Sequence, residues 1–238
     1  MMRRNILLAV VTMLSGSSLL LAATPKEELA QAAKSLGDKP NYSWQTTVEV
    51  PEGTPFRPGP TEGKTQKGGP TTVSLSFGDI TTRAVIQGEN AAVTSAEGEW
   101  RSASDLENEE GPGRFLGMIV RNTQTPADQA ADLIGHVQDW KKDGNVYSGE
   151  LTEEGAAEFI RFRRRRSDGD GGPTVVFAKG SAKFWIADGL LQKYEYKVDG
   201  SMDFNGNEFE IVRTTTVEIK DVGTTRIEVP EEARARLN

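Results

Sequence analysis

The chain has 238 residues, a formal net charge of −7, a single histidine and no cysteine. Without cysteine there is no disulfide framework and no thiol nucleophile, and one histidine cannot make a Cys/His dyad or a histidine-rich metal site. An acidic chain is also a poor general nucleic-acid binder, because attraction to phosphate supplies most of that affinity.

Residues 1–23 have the layout of a secretory signal peptide. Two arginines precede apolar segments that end in small residues, which predicts cleavage after Ala22 or Ala23. A membrane anchor fits less well, because residues 15–18 interrupt the apolar run and a span needs about 18 or more apolar residues. Loss of the two arginines takes the net charge from −7 to −9. Export without cysteine predicts a periplasmic or secreted bacterial protein.

The first half of the mature chain predicts one helix followed by strands. Thr24, Pro25 and Glu27 form a capping box at the start of the helix, and Gly37 ends it. Residues 51–70 are rich in Pro, Gly, Thr and Lys, which predicts a flexible loop. Alternation of apolar and polar residues predicts the strands 41–50, 71–77, 80–87, 90–95 and 99–102.

The middle of the chain predicts three helices. Residues 104–107 open a short acidic helix, and residues 126–140 form an amphipathic helix with Ile134 in its apolar stripe. A strand over residues 145–151 leads into a third helix capped by Thr152. Residues 115–120 are an apolar patch of unassigned structure. Residues 163–173 predict a second flexible loop.

Residues 174–220 predict three long strands joined by two tight turns. Asp188-Gly189 and Asn205-Gly206 are the dipeptides that two-residue hairpin turns favour. Each strand is about 12–14 residues long against a usual length of about 5–6, and sheets of such strands twist and curl. Residues 225–229 predict a short strand, and Pro230 begins a closing helical turn.

Together these elements predict a single α+β domain over residues 24–238, with eight or nine antiparallel strands in a strongly curved sheet. The order of the predicted elements and several short sequence motifs resemble those of the LolA/LppX-like lipoprotein-carrier superfamily. The residues that carry the resemblance are 41–44, 98–100, the helix led by Pro126, 184–190, 193–195, 222–225 and 229–233. The resemblance implies a half-barrel sheet with helices in its concave mouth, no catalysis, no cofactor, and lipid or lipoprotein transport. Two features depart from the family: residues 57–70 and 163–173 are insertions, and the cysteine of its lipid-anchored branch is missing.

The candidate ligand-binding residues are apolar or aromatic side chains expected on the concave face. They are Trp44, Phe77, Trp100, Ile134, Phe184, Tyr194, Tyr196 and Phe209. Core packing explains each of them equally well from the sequence. A dozen buried acyl methylenes at about 0.8 kcal/mol each give roughly 10 kcal/mol, so an apolar trough needs no special motif.

A second candidate site is the basic run formed by Arg161, Arg163, Arg164, Arg165 and Arg166. It is either a solvated helix end, favoured by the helix dipole, or a docking point for anionic headgroups, glycans or an acidic partner. His136 is interpreted as structural or solvent-facing, because no Gly-x-Ser-x-Gly elbow accompanies it. Asp203 and its neighbours lack the glutamate of a calcium loop, so no metal is expected.

Three functions follow, in order of preference. The first is an exported, monomeric, non-catalytic carrier of a lipid or an acylated protein, with peripheral contact to an anionic membrane surface. The second is an envelope interaction or sensor module of the same fold with a filled core, acting through residues 161–166. The third is a hydrolase that uses two carboxylates, although no pair stands out.

Overall fold

A computed structural model describes residues 23–54, 57–77, 80–95, 97–161 and 173–237. Within these residues the chain forms six helices and one eleven-stranded sheet. The helices are α1 Pro25–Gly37, α2 Ala103–Glu107, α3 Pro112–Arg121, α4 Pro126–Gly135, α5 Glu153–Ile160 and α6 Glu231–Arg234. The strands are β1 Asn41–Glu49, β2 Thr61–Gln66, β3 Thr71–Phe77, β4 Ile80–Gln87, β5 Asn90–Thr94, β6 Trp100–Ser102, β7 Lys141–Asp143, β8 Val146–Glu150, β9 Thr174–Ala187, β10 Leu190–Phe204 and β11 Asn207–Lys220.

The sheet is antiparallel throughout and open at both edges. Its order is β6-β5-β4-β3-β2-β1-β11-β10-β9-β8-β7, so β6 and β7 are the edge strands. Two meanders are joined where β1 pairs with β11, for example Thr46 opposite Val217. This is the curved α+β half-barrel predicted from the sequence.

The three long strands and their turns are confirmed. β9, β10 and β11 contain 14, 15 and 14 residues. Asp188 and Gly189 have φ of 52° and 72°, and Asn205 and Gly206 have φ of 55° and 80°. These left-handed values match the turn type that continues the twist of the flanking strands.

Five of the helices cover the concave face. α1 packs on α4 and β10, α5 packs on β9 and β10, and α2 and α3 pack on β5. The capping box predicted at Thr24 is present, since Thr24 Oγ1 accepts from the Glu27 amide and the Glu27 carboxylate accepts from the Thr24 amide. Each of these five helices buries apolar residues, such as Leu29, Ala33 and Leu36 of α1, in one continuous core with the sheet.

The sixth helix lies on the opposite, convex face. Ala233 of α6 is fully buried against Val85 and Ala92, which are one residue out of phase with the concave-facing Ala84 and Val93. The β4–β5 hairpin is therefore covered on both faces. The residues between β11 and α6 cross the convex side of the sheet to reach this position.

The prediction of a flexible loop over residues 51–70 was wrong for residues 61–66, which form β2 between β1 and β3. The inward-facing residues of β2 include Gly63, whose lack of a side chain leaves room for Trp44 on β1, and Thr65, which lies opposite Tyr42. Backbone hydrogen bonds on both sides order a segment whose composition looks like a loop.

The predicted helix over residues 126–140 ends earlier, at Gly135. The His136 amide closes the last turn on the carbonyls of Asp132 and Leu133, and Val137 then bridges to Leu151. Val137 and Trp140 have the spacing of a longer helix's apolar stripe, and both are buried or half-buried although the chain has left the helix.

The short strand predicted at residues 225–229 was also wrong. Both sides of β11 are occupied, by β1 and by β10, so a chain turning back at Gly223 finds no free edge to pair with. The alternation of β10 is interrupted at one point as well. A β-bulge between Leu191 and Lys193 places Leu191 in the core, whereas Gln192 is exposed.

Candidate ligand cavity

A cavity of about 750 Å³ lies between the concave face of the sheet and the α3–α4 region. Its floor comes from β1, β3, β10 and β11, and its roof comes from α3 and the start of α4. The segment after β1, from Val50 to Thr54, forms part of its rim. We refer to this space as the concave cavity.

The wall of the concave cavity is mainly apolar. The apolar and aromatic lining residues include Trp44, Val48, Val50, Val73, Leu75, Phe115, Ile119, Tyr194, Tyr196 and Ile211. Polar groups are fewer and include Thr46, Thr61, Gln129, Glu210, Arg213 and Thr215. Such a wall suits an amphiphile with a long apolar part.

Burial along the strands shows where the helical cover stops. On β11, Val217 and Thr215 are 1% and 4% exposed, Ile211 is half-buried, and Phe209 is 54% exposed. On β1, Trp44 is buried, whereas Thr46 and Val48 are half-buried. The concave face therefore changes from a packed core to an accessible apolar surface within single strands.

Two tyrosines attach the roof to the floor. The Tyr194 hydroxyl donates to Gln129 Oε1 at 2.7 Å, and the Tyr42 hydroxyl accepts from the Ala127 amide at 3.4 Å. Burial raises the pKa of Tyr194 well above its usual value and also raises the pKa of Tyr42. Both hydroxyls therefore remain protonated near neutral pH.

The position of Trp44 in the floor depends on a glycine. A Cβ at Gly63, directly opposite Trp44, would overlap the indole ring. Trp44 thus lies against the backbone of β2, and its ring is held flat in the wall of the cavity. Tyr42 flanks it with a centroid separation of 6.0 Å.

Arg213 extends from β11 on the concave side towards the end of α5. Its guanidinium donates to the Phe159 carbonyl, one of the last carbonyls of that helix. The same side chain lines the concave cavity. It therefore joins α5 to the wall and places a positive charge beside the apolar surface.

Three of the predicted ligand-binding residues line this cavity: Trp44, Tyr194 and Tyr196. Ile134 and Phe184 are buried in the core and do not belong to the lining, since Phe184 stacks on Tyr194 at 5.4 Å behind the wall. Phe209 lies beyond the cavity on the uncovered end of β11.

The prediction that Trp100 faces the concave side was wrong. Trp100 pairs with Thr94 and packs with Val85, Ala92 and Ala233 on the convex side. A three-residue strand beside a hairpin buried on both faces gives no alternation from which to assign a face. Phe77 ends β3, and its side chain lies outside the described part of the structure.

Of the basic run, only Arg161 falls within the described residues. It ends α5 in an extended conformation and is exposed. Arg163, Arg164, Arg165 and Arg166 lie outside the described residues, so docking through this run stays a prediction.

The sequence reasoning missed much of the lining. Val48 and Val50 continue the alternation that includes Trp44, and this signal was available. Phe115 and Ile119 are four residues apart on α3, a spacing that places them on one side of a helix once the patch is assigned as helical. Gln129 gave no signal, because its role depends on Tyr194, a residue 65 positions away.

Within the described residues, no group of three or more His, Asp or Glu side chains is arranged to hold a metal ion. His136 caps the end of α4, and its Nε2 lies 3.0 Å from Glu158 Oε2. Across the same part of the chain, none of the helices combines the length and apolar character needed to cross a bilayer.

Comparison with known proteins finds similarity in architecture. No family model and no curated protein matches the chain. LprF from Mycobacterium bovis is similar over 87% of this chain and 96% of its own, at 11% identity and a TM-score of 0.46. The lipoprotein LppX from Mycobacterium tuberculosis is similar over 86% and 97%, at 10% identity and a TM-score of 0.46. A LolA superfamily protein from Nitrosomonas europaea covers 87% and 96%, at 10% identity and a TM-score of 0.33.

Proposed function

We propose that this protein is a non-catalytic carrier that holds a lipid, or the acyl chain of an acylated protein, in the concave cavity. The observation that carries the proposal is a space of about 750 Å³ with a mainly apolar wall between sheet and helices. Sites for small ligands have volumes of roughly 300–1,000 Å³, so this space is large enough for at least one flexible chain.

The energetics favour an acyl chain over a small polar ligand. Each buried methylene contributes about 0.8 kcal/mol, and a dozen contribute roughly 10 kcal/mol. Association costs about 4–15 kcal/mol in lost freedom, so a long chain is needed for stable binding. The described residues of the lining form no cluster of charges that would give comparable affinity for a compact polar molecule.

Polar residues at the cavity suit the head of an amphiphile. Thr46 and Thr215 offer hydroxyls on neighbouring strands, and Arg213 and Glu210 carry charges on β11. An acyl chain lying along Val48 and the aromatic floor would place its headgroup near these polar groups. This arrangement distinguishes a lipid from a plain hydrocarbon.

The alternative function is an interaction or sensor module with a filled core, acting through residues 161–166. The concave cavity favours the carrier, because a module of the alternative kind has no use for an accessible apolar space. Replacing the arginines of the run with serine should leave lipid binding unchanged under the carrier proposal. Loss of partner capture without loss of lipid binding would favour the alternative.

The cellular setting forms part of the same proposal. A leader cleaved after Ala22 or Ala23 would deliver a monomer to the periplasm or the medium, where it exchanges lipid at an anionic membrane surface and binds no nucleic acid. Amino-terminal sequencing of the exported protein tests the cleavage site. An uncleaved amino terminus on the exported protein contradicts this part of the proposal.

The decisive experiment compares two tryptophan substitutions on β1. Val48→Trp places a large side chain in the cavity wall, and Thr47→Trp places the same side chain on the exposed opposite face of the same strand. Native mass spectrometry should detect lipid on the wild type and on Thr47→Trp, and titration with a fluorescent C16 fatty acid should show binding at least about tenfold weaker for Val48→Trp. Equal binding by both variants would refute the assignment of the cavity, and repeated absence of lipid from all three would refute the carrier function.

A further inference from the structure

The convex face of the sheet carries a second cavity, of about 600 Å³. Its floor is formed by β1, β2, β3, β4 and β11, and its far wall is the segment between residues 226 and 230 that leads to α6. We call it the convex groove and define it by Ser43, Lys64, Arg83, Trp100, Arg226 and Glu228. It shares the sheet with the concave cavity but opens on the other side.

The strand register arranges the floor in two rows. In one row Ser43 lies directly between Lys64 and Lys220, and in the next row Gln45 lies opposite Glu62. Since neighbouring strands are about 4.8 Å apart, the two lysines are separated by roughly 10 Å with a hydroxyl between them. The first row thus alternates cations with a hydroxyl, and the second places an amide between Glu62 and Glu218. Ser43 Oγ donates to Asp221 Oδ2 at 2.7 Å and Gln45 Oε1 accepts from Lys220 at 2.6 Å, which leaves the Ser43 oxygen as an acceptor and the Gln45 amide as a donor.

Most of the cations in the groove have no ion-pair partner among the described residues. Lys220 lies 3.8 Å from Glu218, whereas no described carboxylate lies within 4.0 Å of Lys64, Arg83 or Arg226. A chain with a net charge of −7 has many carboxylates with which it could neutralise them. These three positive charges therefore remain available to a ligand.

Trp100 supplies an aromatic surface at one end. It is half-buried against Val85, Ala92 and Ala233, and the Arg83 guanidinium lies 5.9 Å from its ring centroid. The packing fixes the ring and leaves it half-buried, with the guanidinium over the ring. A fixed indole next to a guanidinium offers both an apolar aromatic surface and several N–H donors for hydrogen bonds.

The mixture of charges restricts the class of ligand. Lys64, Arg83, Lys220 and Arg226 share the lining with Glu62, Asp221 and Glu228, which leaves an excess of one positive charge. A polyanion would be repelled by three carboxylates, and a cation by four basic groups. Hydroxyl groups, in contrast, can donate to the carboxylates and accept from the lysines, while one acidic group matches the excess charge.

We propose that the convex groove binds a saccharide carrying one acidic group, with a sugar ring at Trp100 and its acidic group among the cations without an ion-pair partner, Lys64, Arg83 and Arg226. The aromatic ring of Trp100 accounts for the sugar ring, and the polar side chains of Ser43 and Gln45, in adjacent rows of the floor, account for hydroxyls. This site is independent of the proposed lipid binding, since the two cavities lie on opposite faces of the sheet.

The test uses pairs of sugars that differ by one acidic group. N-acetylmuramic acid is compared with N-acetylglucosamine, and glucuronic acid with glucose, by saturation-transfer NMR and calorimetry. The acidic member of each pair should bind saturably below about 10 mM, and the neutral member should bind at least about tenfold more weakly. Arg226→Gln should weaken binding of the acidic sugar about tenfold, whereas Arg114→Gln, an exposed change on α3, should leave it unchanged.

Several results would overturn the proposal. They are absence of saturable binding by both acidic sugars, equal binding of acidic and neutral members, or tighter binding of tri-glutamate, which would assign the groove to an acidic peptide. Val48→Trp separates the two sites, because it should weaken lipid binding at least about tenfold without affecting the sugar. Loss of sugar binding in that variant, with an unchanged unfolding midpoint, would also count against a separate convex site.

Discussion

The hydrogen bond between Tyr194 and Gln129 joins the floor of the concave cavity to its roof, and its two ends differ in environment. Tyr194 is 0% exposed, whereas Gln129 of α4 is half-buried and lines the concave cavity. Removing the hydroxyl by Tyr194→Phe leaves an amide that water can reach, so the cost should be about 1 kcal/mol. Removing the amide by Gln129→Leu leaves a buried hydroxyl without a partner, and the cost should rise to about 2 kcal/mol.

The double variant gives the sharper test. With both polar groups gone, no buried hydroxyl is left without a partner, so the double variant should be more stable than Gln129→Leu alone. The 2.7 Å bond thus predicts a coupling free energy of about 1–2 kcal/mol. Leu and Gln have similar helix propensities, so α4 itself should not contribute.

Urea unfolding followed by tryptophan fluorescence measures these free energies, and each kcal/mol should also move the melting temperature by about 2–4 °C. Gln31→Leu, a matched change on the exposed side of α1, should lie within about 0.5 kcal/mol of the wild type. Additive effects within about 0.5 kcal/mol, or a larger cost for Tyr194→Phe than for Gln129→Leu, would refute the idea that this bond holds α4 on the sheet.

Three further predictions concern other parts of the fold. Burial raises the pKa of Tyr194 above 10.0, so its contribution to stability is complete below about pH 10 and is lost as the pH rises further; urea unfolding at alkaline pH should show this fall, and Tyr194→Phe should reduce it. Gly63→Ala should displace the Trp44 indole, lower the melting temperature and weaken lipid binding; unchanged near-ultraviolet circular dichroism would contradict the proposed contact. Ala233→Asp buries a charge against the convex face and should detach α6, which limited proteolysis would detect as early cleavage near the carboxyl terminus; a wild-type digestion pattern would contradict it.

The long meander could be predicted from the sequence because local chemistry specifies it. The Asp188-Gly189 and Asn205-Gly206 turns need left-handed backbone, and the strands between them alternate cleanly, so both the turns and the pairing follow from short-range rules. The capping box at Thr24 is equally local. Such elements are specified by a few residues that are adjacent in the sequence.

The errors occurred where tertiary contacts decide the structure. β2 has the composition of a loop. It forms a strand because β1 and β3 pair with its two edges and because Trp44 of β1 packs on Gly63. Val137 and Trp140 keep a helical spacing after the helix has ended, because the core accepts apolar side chains from any backbone. Trp100 faces the convex side because α6, some 130 residues later, packs there. None of these partners is near in sequence.

The distinction between core and cavity, which the sequence could not make, follows from the lengths of the elements. A strand of 14 residues at about 3.3 Å per residue extends roughly 46 Å. The longest helix on the concave face has 13 residues, which at about 1.5 Å per residue covers only about 20 Å. No single helix can cover the length of β11, and the helices that pack here meet the sheet at different places, α1 and α5 on β10, and α3 on β5. Apolar residues continue along β11 past the helical cover, to Ile211 and then Phe209. An apolar strand face longer than its covering helices leaves an apolar surface beyond the described helices, and the concave cavity lies where this helical cover ends.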